Sequence, residues 1–476
     1  MRRRVVERLG RSRDDRLAAL AVVIGLLGIA VVWLARPERG GDTGPLQTGT
    51  ESLARCLAAL DLVHCTDEGP MDPFSAVQHV PDLAGYVAGL SIGDRTRLLA
   101  ALSAVGIAIA VAAAWIVLRR IGLPEWRWGF LLVALSGPTL AYGNTTWGEM
   151  LATGLVTLLV AAALLPARPA LVGLAAFGAG LTKETGYVFV AALGLLALLV
   201  ARRRTGGPVR RHVLLGGAGL GLAIAVGAGL NVIRYGTPRN ASYLDPGLRT
   251  TSVEKVIELA AGLFVAPNGG LLLFWPLATS LVALLLAVPV VRALRGAASW
   301  RETWPSAALL VVVAGLTVGL ATWWAPFGWW AWGPRLSLPW VLPILLVAIA
   351  AFGSALSPLL ARALAPVAGL VAAAILVVVA ALPHVGLVWR PRTIGDFFFR
   401  AQTAVCPGGG PPPTPEYYDC LSERMWTRHP ILLDALDGVG TPGGAVTVAL
   451  VTLVVVGCLL RFRGDAAERL STRRVR

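Results

Sequence analysis

The carboxylates with the clearest chemical potential lie in one short run, CTDEGPMDP at 65–73. Asp67, Glu68 and Asp72 fall within six residues and alternate with glycine and proline, which predict a tight turn. Placing a carboxylate close to lipid is costly, so carboxylates cluster beside a membrane where their charge has a function. They therefore indicate a general base, with a second carboxylate to position an acceptor or a metal. The alternative is a solvated loop in which an aspartate caps a helix that begins near Pro73.

Other polar residues flank this connector. Asp61 and Asp82 lie in the predicted helices on either side and are weaker candidates for the base. His64 and His79 could join the acids in a divalent-metal site, but lone histidines are more often ordinary surface or hydrogen-bonded residues. The sequence therefore assigns no metal ligand and no certain cofactor, and a divalent metal stays an open alternative.

The second stretch with clear chemistry is WWAPFGWWAWGPRLSLPWVLP at 323–343, which holds six tryptophans and Arg335. Tryptophan favours the headgroup level of a membrane, so one interpretation is an aromatic belt. A belt does not need Gly-Pro-Arg, however, and the guanidinium of Arg335 can fork onto phosphate oxygens. We therefore expect this stretch to hold a phosphate-headed lipid, with Trp329 and Trp332 lining its pocket.

Three further residues stand where apolar segments begin or end. Glu149 lies at the mouth of a predicted span, where a carboxylate should face protein or a water-filled cavity. Lys183 is a lysine in an arginine-rich chain, which favours a phosphate contact over the alternative, a salt bridge with Glu184 at the membrane boundary. Asn268 opens an Asn-Gly-Gly turn ahead of an apolar run, whose first backbone N–H groups can receive an anion.

The rest of the chain supplies the membrane helices that position these residues. Its 476 residues are 56% hydrophobic and 14% charged, and no polar segment is long enough for a separate soluble core. We predict an all-α integral membrane protein with one polytopic domain over 1–476. The apolar runs predict twelve spans: 17–35, 97–118, 127–143, 148–166, 169–182, 186–201, 213–233, 270–292, 305–322, 337–355, 364–383 and 443–460.

The distribution of charge predicts the orientation of these spans. The net charge of +15 comes from arginines concentrated in alternate connecting segments, so it indicates membrane orientation and not nucleic-acid binding. Both termini are predicted to be cytoplasmic, and the basic tail 461–476 lies on that side. The first span has no small-residue cleavage site after it and is expected to be a retained anchor.

Three long segments then face outward: 36–96, 234–269 and 384–442. The first is expected to hold two amphipathic helices, over 51–65 and over 74–90, with Pro81 as a break or kink in the second. The outer segment 234–269 is expected to hold a third such helix, over VEKVIELAAGLF. These helices would lie on the membrane surface next to the candidate residues.

The cysteines fit the same topology. Cys56 and Cys65 lie in the first outer segment, and Cys406 and Cys420 lie in the last. We predict one disulfide within each pair, because that side of the membrane is oxidising. Cys458 lies in the final span and is expected to be a buried thiol.

These features together resemble the polyprenyl-phosphate-dependent glycosyltransferases of the type C membrane fold. The residues that carry the likeness are Asn268-Gly269-Gly270-Leu271 with Trp275-Pro276, and Trp329 with Gly333-Pro334-Arg335, Pro339 and Pro343. Many bacterial members show such a Gly-rich turn before an apolar span, and a Trp/Gly-rich turn that ends in Gly-Pro-Arg. Asp67-Glu68 matches their acidic first outer loop, although these acids stand further past the first span than the resemblance leads one to expect.

The resemblance implies an inverting hexosyl- or pentosyltransferase in a bacterial inner membrane. Its donor would be a sugar on a polyprenyl phosphate, and its acceptor a cell-envelope glycan, lipid or protein on the outer face. A first-loop carboxylate would take the acceptor proton, while Arg335 and Lys183 hold the leaving phosphate. The alternative is a transporter or flippase for a lipid-linked envelope precursor. Acids confined to outer loops favour transfer, whereas charges deep within the spans would favour transport.

Overall fold

A computed structural model gives the arrangement of most of the chain, and all regular elements in that part are helices. The described residues are 17, 20–30, 43–60, 76–135, 137–143, 145–165, 168–182, 186–239, 252–266, 270–297, 299–323, 326–327, 334–356, 415–426 and 449–461.

The helices are numbered here in chain order. They are α1 (Leu20–Ala30), α2 (Thr43–Ala58), α3 (Ala76–Val87), α4 (Ile92–Arg120), α5 (Trp126–Leu135), α6 (Thr139–Tyr142), α7 (Glu149–Leu164), α8 (Pro169–Thr182), α9 (Tyr187–Thr205), α10 (Arg210–Tyr235), α11 (Val253–Val265), α12 (Leu271–Phe274), α13 (Pro276–Leu294), α14 (Trp304–Ala321), α15 (Arg335–Leu356), α16 (Pro415–Trp426) and α17 (Ala449–Arg461). A 3₁₀ turn, Trp300–Glu302, precedes α14, and another, Arg335–Ser337, opens α15.

The predicted spans and the observed helices largely coincide. Eleven of the twelve predicted spans overlap a described helix, and the other, 364–383, lies outside the described residues. Within the described part of the chain, five helices are long and apolar enough to cross a membrane, namely α4, α10, α13, α14 and α15. The all-α membrane fold class is therefore confirmed, while the number twelve stays a prediction.

Two of the predicted spans are interrupted. The run 127–143 divides into α5 and α6, and the run 270–292 breaks at Trp275, after which a proline begins α13. Trp275 is fully buried, and its indole N–H donates to the carbonyl of Val133 on α5 at 2.9 Å. A glycine, Gly137, makes room for the ring, since a Cβ there would lie 2.3 Å from Trp275. The break is thus a packed feature of the bundle.

The first outer segment contains the two expected helices, with different bounds. The first of them, α2, begins at Thr43, ahead of the predicted start at 51, and ends at Ala58. The second, α3, continues through Pro81, where we expected a break or kink. Proline removes one backbone N–H donor, and the helix forms because its packing onto α2 and α4 offsets that loss.

A close approach of α4 and α7 fixes where α7 begins. A Cβ added to Gly106 on α4 would lie 2.1 Å from the carbonyl oxygen of Met150. One added to Gly154 on α7 would lie 2.4 Å from the carbonyl oxygen of Gly106. Small residues of this kind let two membrane helices pack backbone to backbone. The contact places the first turn of α7, which starts at Glu149, directly beside α4.

We call the end of the bundle that carries the first residues of α4, α7 and α15 the outer end, following the predicted orientation. The opposite, inner end carries the last residues of α4, α9 and α15. There Arg204 of α9 donates to the carbonyl of Ala350 on α15 and to the carbonyl of Ile121 just after α4, both at 2.6 Å. An arginine near helix C-terminal ends is favourable, and the two hydrogen bonds tie α9 to α4 and α15.

Three of the five cysteines lie in the described residues. Cys56 and Cys420 are each disulfide-bonded, and Cys458 is free and buried, as expected. The partners predicted for them, Cys65 and Cys406, lie outside the described residues, so both pairings stay predictions.

Candidate functional site

Two of the predicted site residues lie in the described part of the chain and come together. Glu149 is the first residue of α7, and Arg335 is the first residue of α15, both at the outer end. The remaining predicted site residues lie outside the described residues, and their roles stay predictions: Asp67, Glu68, Asp72, Lys183, Asn268, Trp329 and Trp332.

Arg335 and Glu149 form a buried ion pair. The Nε of Arg335 lies 3.3 Å from Oε1 of Glu149. Arg335 is only 7% exposed and Glu149 only 4%. A carboxylate in the first turn of α7 is also favoured by the positive end of the helix dipole. We expected Glu149 to face protein or a water-filled cavity, and it faces protein. Its partner is the arginine that we expected to hold a phosphate.

An aromatic ring packs against the guanidinium of Arg335. Its guanidinium carbon lies 4.8 Å from the ring centroid of Trp147, which is 2% exposed. A desolvated cation–π contact of this kind contributes about 2 kcal/mol. Tyr142 in turn packs on Trp147, with ring centroids 5.3 Å apart. The sequence analysis missed Trp147, although its place two residues before a carboxylate at a helix start was a usable signal.

Hydroxyl groups fix the backbone around the pair. The Ser103 hydroxyl of α4 donates to the carbonyls of Thr145 and Trp147, at 2.7 and 2.9 Å. The Thr153 hydroxyl of α7 donates to the carbonyl of Glu149 at 2.8 Å and lies 3.5 Å from that of Leu338 on α15. Four polypeptide segments therefore hold the ion pair in place, so its position does not depend on the two side chains alone.

Two described aromatic residues of the tryptophan-rich stretch pack against protein. Trp340 is 4% exposed and packs inside the bundle, with its ring centroid 5.7 Å from that of Phe189 on α9. Phe327 is buried in a separate outer cluster with residues of α11 and α16, among them Leu263 and Tyr417. These side chains face protein, which is not where a headgroup belt would place them.

A second buried ion cluster joins the first outer segment to α4. Arg95 is 2% exposed and binds Asp82 of α3 with two hydrogen bonds, Nε to Oδ1 at 2.8 Å and Nη2 to Oδ2 at 2.6 Å. It also donates to Glu51 of α2 at 2.7 Å. Asp82, a weaker candidate for the base, is fully buried in this bidentate pair, which argues against that role and indicates that it holds α3 on α4.

The histidine of α3 has a structural contact as well. His79 is 3% exposed, and its Nδ1 lies 3.0 Å from the Thr50 hydroxyl of α2. Within the described residues, no group of three His, Cys, Asp or Glu side chains is placed to hold a metal ion.

An ion pair joins the outer segment 234–269 to the last outer loop, 384–442. Lys255 of α11 lies 2.9 Å from Asp419 of α16 and 3.3 Å from Glu258. Hydrogen bonding to Asp419, and then to Glu258, raises the pKa of Lys255 above its usual range despite the opposing effect of burial. Burial raises the pKa of Tyr418, in the same helix as Asp419, to about 12. Lys255 is therefore charged, and Tyr418 neutral, at any physiological pH.

Comparison with known proteins identifies the fold. No family model matches the chain, and a search of curated proteins finds no match. Two solved structures match over 94% of the chain. One is ArnT from Cupriavidus metallidurans in the apo state, at 18% identity, with a TM-score of 0.49 and 76% of its chain covered. The other is the same protein bound to undecaprenyl phosphate, at 17% identity, with a TM-score of 0.50 and 77% covered.

At this identity the likeness concerns the fold. The match to the undecaprenyl phosphate-bound structure extends over nearly the whole chain, so the helices described here share that membrane architecture. The type C membrane fold predicted from the Gly-Gly turn and the Gly-Pro-Arg motif is confirmed at that level.

Proposed function

We propose that the protein is an integral membrane glycosyltransferase that moves a sugar from a polyprenyl-phosphate donor to a cell-envelope acceptor. It acts at the outer face of a bacterial inner membrane, as a multi-pass protein with both termini in the cytoplasm. The sugar is a hexose or a pentose, and the acceptor is a glycan, a lipid or a protein.

One observation carries the proposal: a buried arginine, Arg335, held by Glu149 and Trp147 where two membrane helices begin. Glu149 meets the guanidinium at Nε, whereas an end-on fork onto phosphate uses Nη1 and Nη2. Glu149 is therefore a positioning residue. The solved structure of the same fold is bound to undecaprenyl phosphate, a lipid of the class that the proposal requires.

The proposed reaction is a single displacement. A carboxylate among Asp67, Glu68 and Asp72 takes the proton of the acceptor hydroxyl, whose oxygen attacks the anomeric carbon of the sugar. The bond from that carbon to the phosphate oxygen breaks, and the phosphate leaves with the bonding electron pair. Arg335, with Lys183, stabilises the negative charge that develops on the phosphate. One displacement inverts the anomeric centre.

The placement of buried charge supports transfer over transport. Among the described residues, the buried charged side chains lie in the outer helix α3, in a loop or near a helix end, as Arg95, Glu149 and Arg335 do. A transporter would be expected to carry ionisable groups near the middle of its spans, along the substrate path. We therefore rank transfer above the transporter or flippase function.

The test is sugar transfer by purified protein in nanodiscs, from polyprenyl-phosphate sugars to an envelope extract. Asp67→Asn, Glu68→Gln and Asp72→Asn are compared with Asp94→Asn, an exposed acid near the start of α4. We expect one of the first three to lower turnover by about 10²–10⁴-fold with donor binding nearly intact, and Asp94→Asn to be neutral. Arg335→Lys should weaken donor binding as well, because a point charge cannot replace the fork.

Two results would count against this assignment. If all three first-loop variants keep near-normal turnover, no acid of that loop is the base, and Glu149 becomes the candidate. If the wild-type protein transfers no sugar but moves the lipid-linked precursor across the bilayer, the transporter function replaces the proposal.

A further inference from the structure

An apolar groove runs along the side of the bundle, away from the Arg335 site. It has a volume of about 640 Å³ and is bounded by α1, α4 and α5. Leu26 and Ile29 of α1 form one wall, and Leu131 and Leu135 of α5 form the other. The floor follows α4 from Ala104 to Ile116. At 1.5 Å per residue this floor is about 18 Å long, slightly more than half of a hydrocarbon core.

The inner end of the groove carries a paired aromatic and cationic cluster. Trp115 lines the groove and packs edge-on against Trp128, with ring centroids 4.8 Å apart. The guanidinium carbon of Arg127 lies 4.9 Å from the ring centroid of Trp115, and that of Arg461 lies 5.4 Å from the ring centroid of Trp128. Two guanidiniums thus flank two edge-to-face indoles at one end of an otherwise apolar groove.

A buried donor lies in this cluster. Trp128 is 7% exposed, and its indole N–H has no acceptor among the described residues. Leaving a buried N–H without a partner is costly, so such a group points to an acceptor that the protein itself does not supply. Phosphate oxygens are acceptors of this kind.

The charge at this end is also predominantly positive. Arg119 and Arg120, exposed at the end of α4, adjoin the cluster, and the one acidic side chain of the connecting turn, Glu125, is fully buried. The outer end of the groove, near Ala104 and Leu135, is apolar. A lipid with a charged head would therefore lie with its head inward.

This cluster is far from the Arg335 site. Trp147, under Arg335, is hydrogen-bonded at the level of Ser103 on α4, whereas the cluster lies at Trp115. Twelve helical residues separate those levels, which corresponds to about 18 Å along the helix. A lipid whose head occupied the Arg335 site would lie in the opposite orientation, with its head group at the outer end.

We propose that this groove binds an anionic phospholipid of the inner leaflet. The phosphate lies against Arg127 and Arg461 and accepts the indole N–H of Trp128, and an acyl chain lies along α4 between α1 and α5. The inference does not depend on the proposed glycosyltransferase function.

The test counts the lipids retained by the purified full-length protein in native mass spectrometry. The protein is exchanged from nanodiscs of phosphatidylcholine with a minor fraction of phosphatidylglycerol. We expect wild type to retain phosphatidylglycerol, and Arg127→Ala with Arg461→Ala to lower that retention by about tenfold or more. The matched control is Arg119→Ala with Arg120→Ala, which removes two charges from the same end and should retain the lipid.

A second variant tests the groove without touching any charge. Ala112 lines the groove and is exposed to the membrane, so Ala112→Trp should fill the channel, leave the bundle folded and lower retention. Unchanged retention in both this variant and the Arg127/Arg461 variant would overturn the proposal. Equal loss in the Arg119/Arg120 control would overturn it too, since general surface attraction would then explain binding. Loss on Arg335→Ala alone would show instead that the groove holds a lipid with its head at the outer end.

Discussion

At the scale of single residues, the ion pair of Arg335 and Glu149 explains why a charged arginine is stable at a buried helix start. Burying either charge alone is costly, and the pair with its indole neighbour offsets that cost. The guanidinium is thereby held in one orientation before any ligand arrives. Such preorganisation is what a site that stabilises developing phosphate charge requires.

We predict that Arg335→Gln alone destabilises the protein by about 3–5 kcal/mol, because the carboxylate of Glu149 is left buried. The double variant, Arg335→Gln with Glu149→Gln, should recover part of that loss. Thermal unfolding in one detergent measures both. Arg97→Gln, which opens an exposed pair with Asp94, is the control and should change little. A double variant less stable than the single one would contradict the pairing.

Sequence reasoning found both members of this pair but not the pair itself. Arg335 was evident from Gly-Pro-Arg among tryptophans, and Glu149 from its place at the start of a span. Their distance could not be predicted, because it depends on how α7 and α15 pack and not on local pattern. The ion pair of Asp82 could not be predicted for the same reason, since its partner, Arg95, lies in the next helix.

At the scale of the helices, glycine packing determines the geometry of the site. The contact of Gly106 with Met150 fixes the start of α7, and a methyl group there cannot be accommodated without moving one backbone from the other. Hydropathy located α4 and α7 well, yet it carries no information on which faces meet. Sequence alone gave no reason to choose Gly106 from the many glycines of the chain.

We predict that Gly106→Ala lowers thermal stability and also weakens donor binding, because it displaces Glu149 and therefore Arg335. The matched control is Gly221→Ala in α10, where an added Cβ meets nothing within 4 Å. That variant should be neutral or more stable by about 0.5–1 kcal/mol, since alanine favours the helix. Equal effects of the two substitutions would show that the α4–α7 contact does not position the site.

At the scale of the whole molecule, the chain divides its charge between two ends. Arginines gather at the last turns of α4, α9 and α13, while the ion pair of Arg335 lies at the opposite end. The first outer segment packs on the latter end through the pair of Arg95 with Asp82, and Lys255 joins α11 to α16. The proposed transfer site and the proposed phospholipid site therefore face opposite sides of the membrane, and both assignments depend on the orientation of the chain.

We predict that the loop at residue 207 and the tail at residue 470 are cytoplasmic, and that residue 410 is external. The reason is the arginine bias of short connecting loops, which resists translocation. Fusions of green fluorescent protein at 207 and 470 should fluoresce, and a fusion of alkaline phosphatase at 410 should be active, with the two reporters exchanged as controls. The inverted pattern would place Arg335 on the cytoplasmic side. A donor presented at the outer face could not then reach it, and the phosphate contact proposed for Arg335 would have to be abandoned.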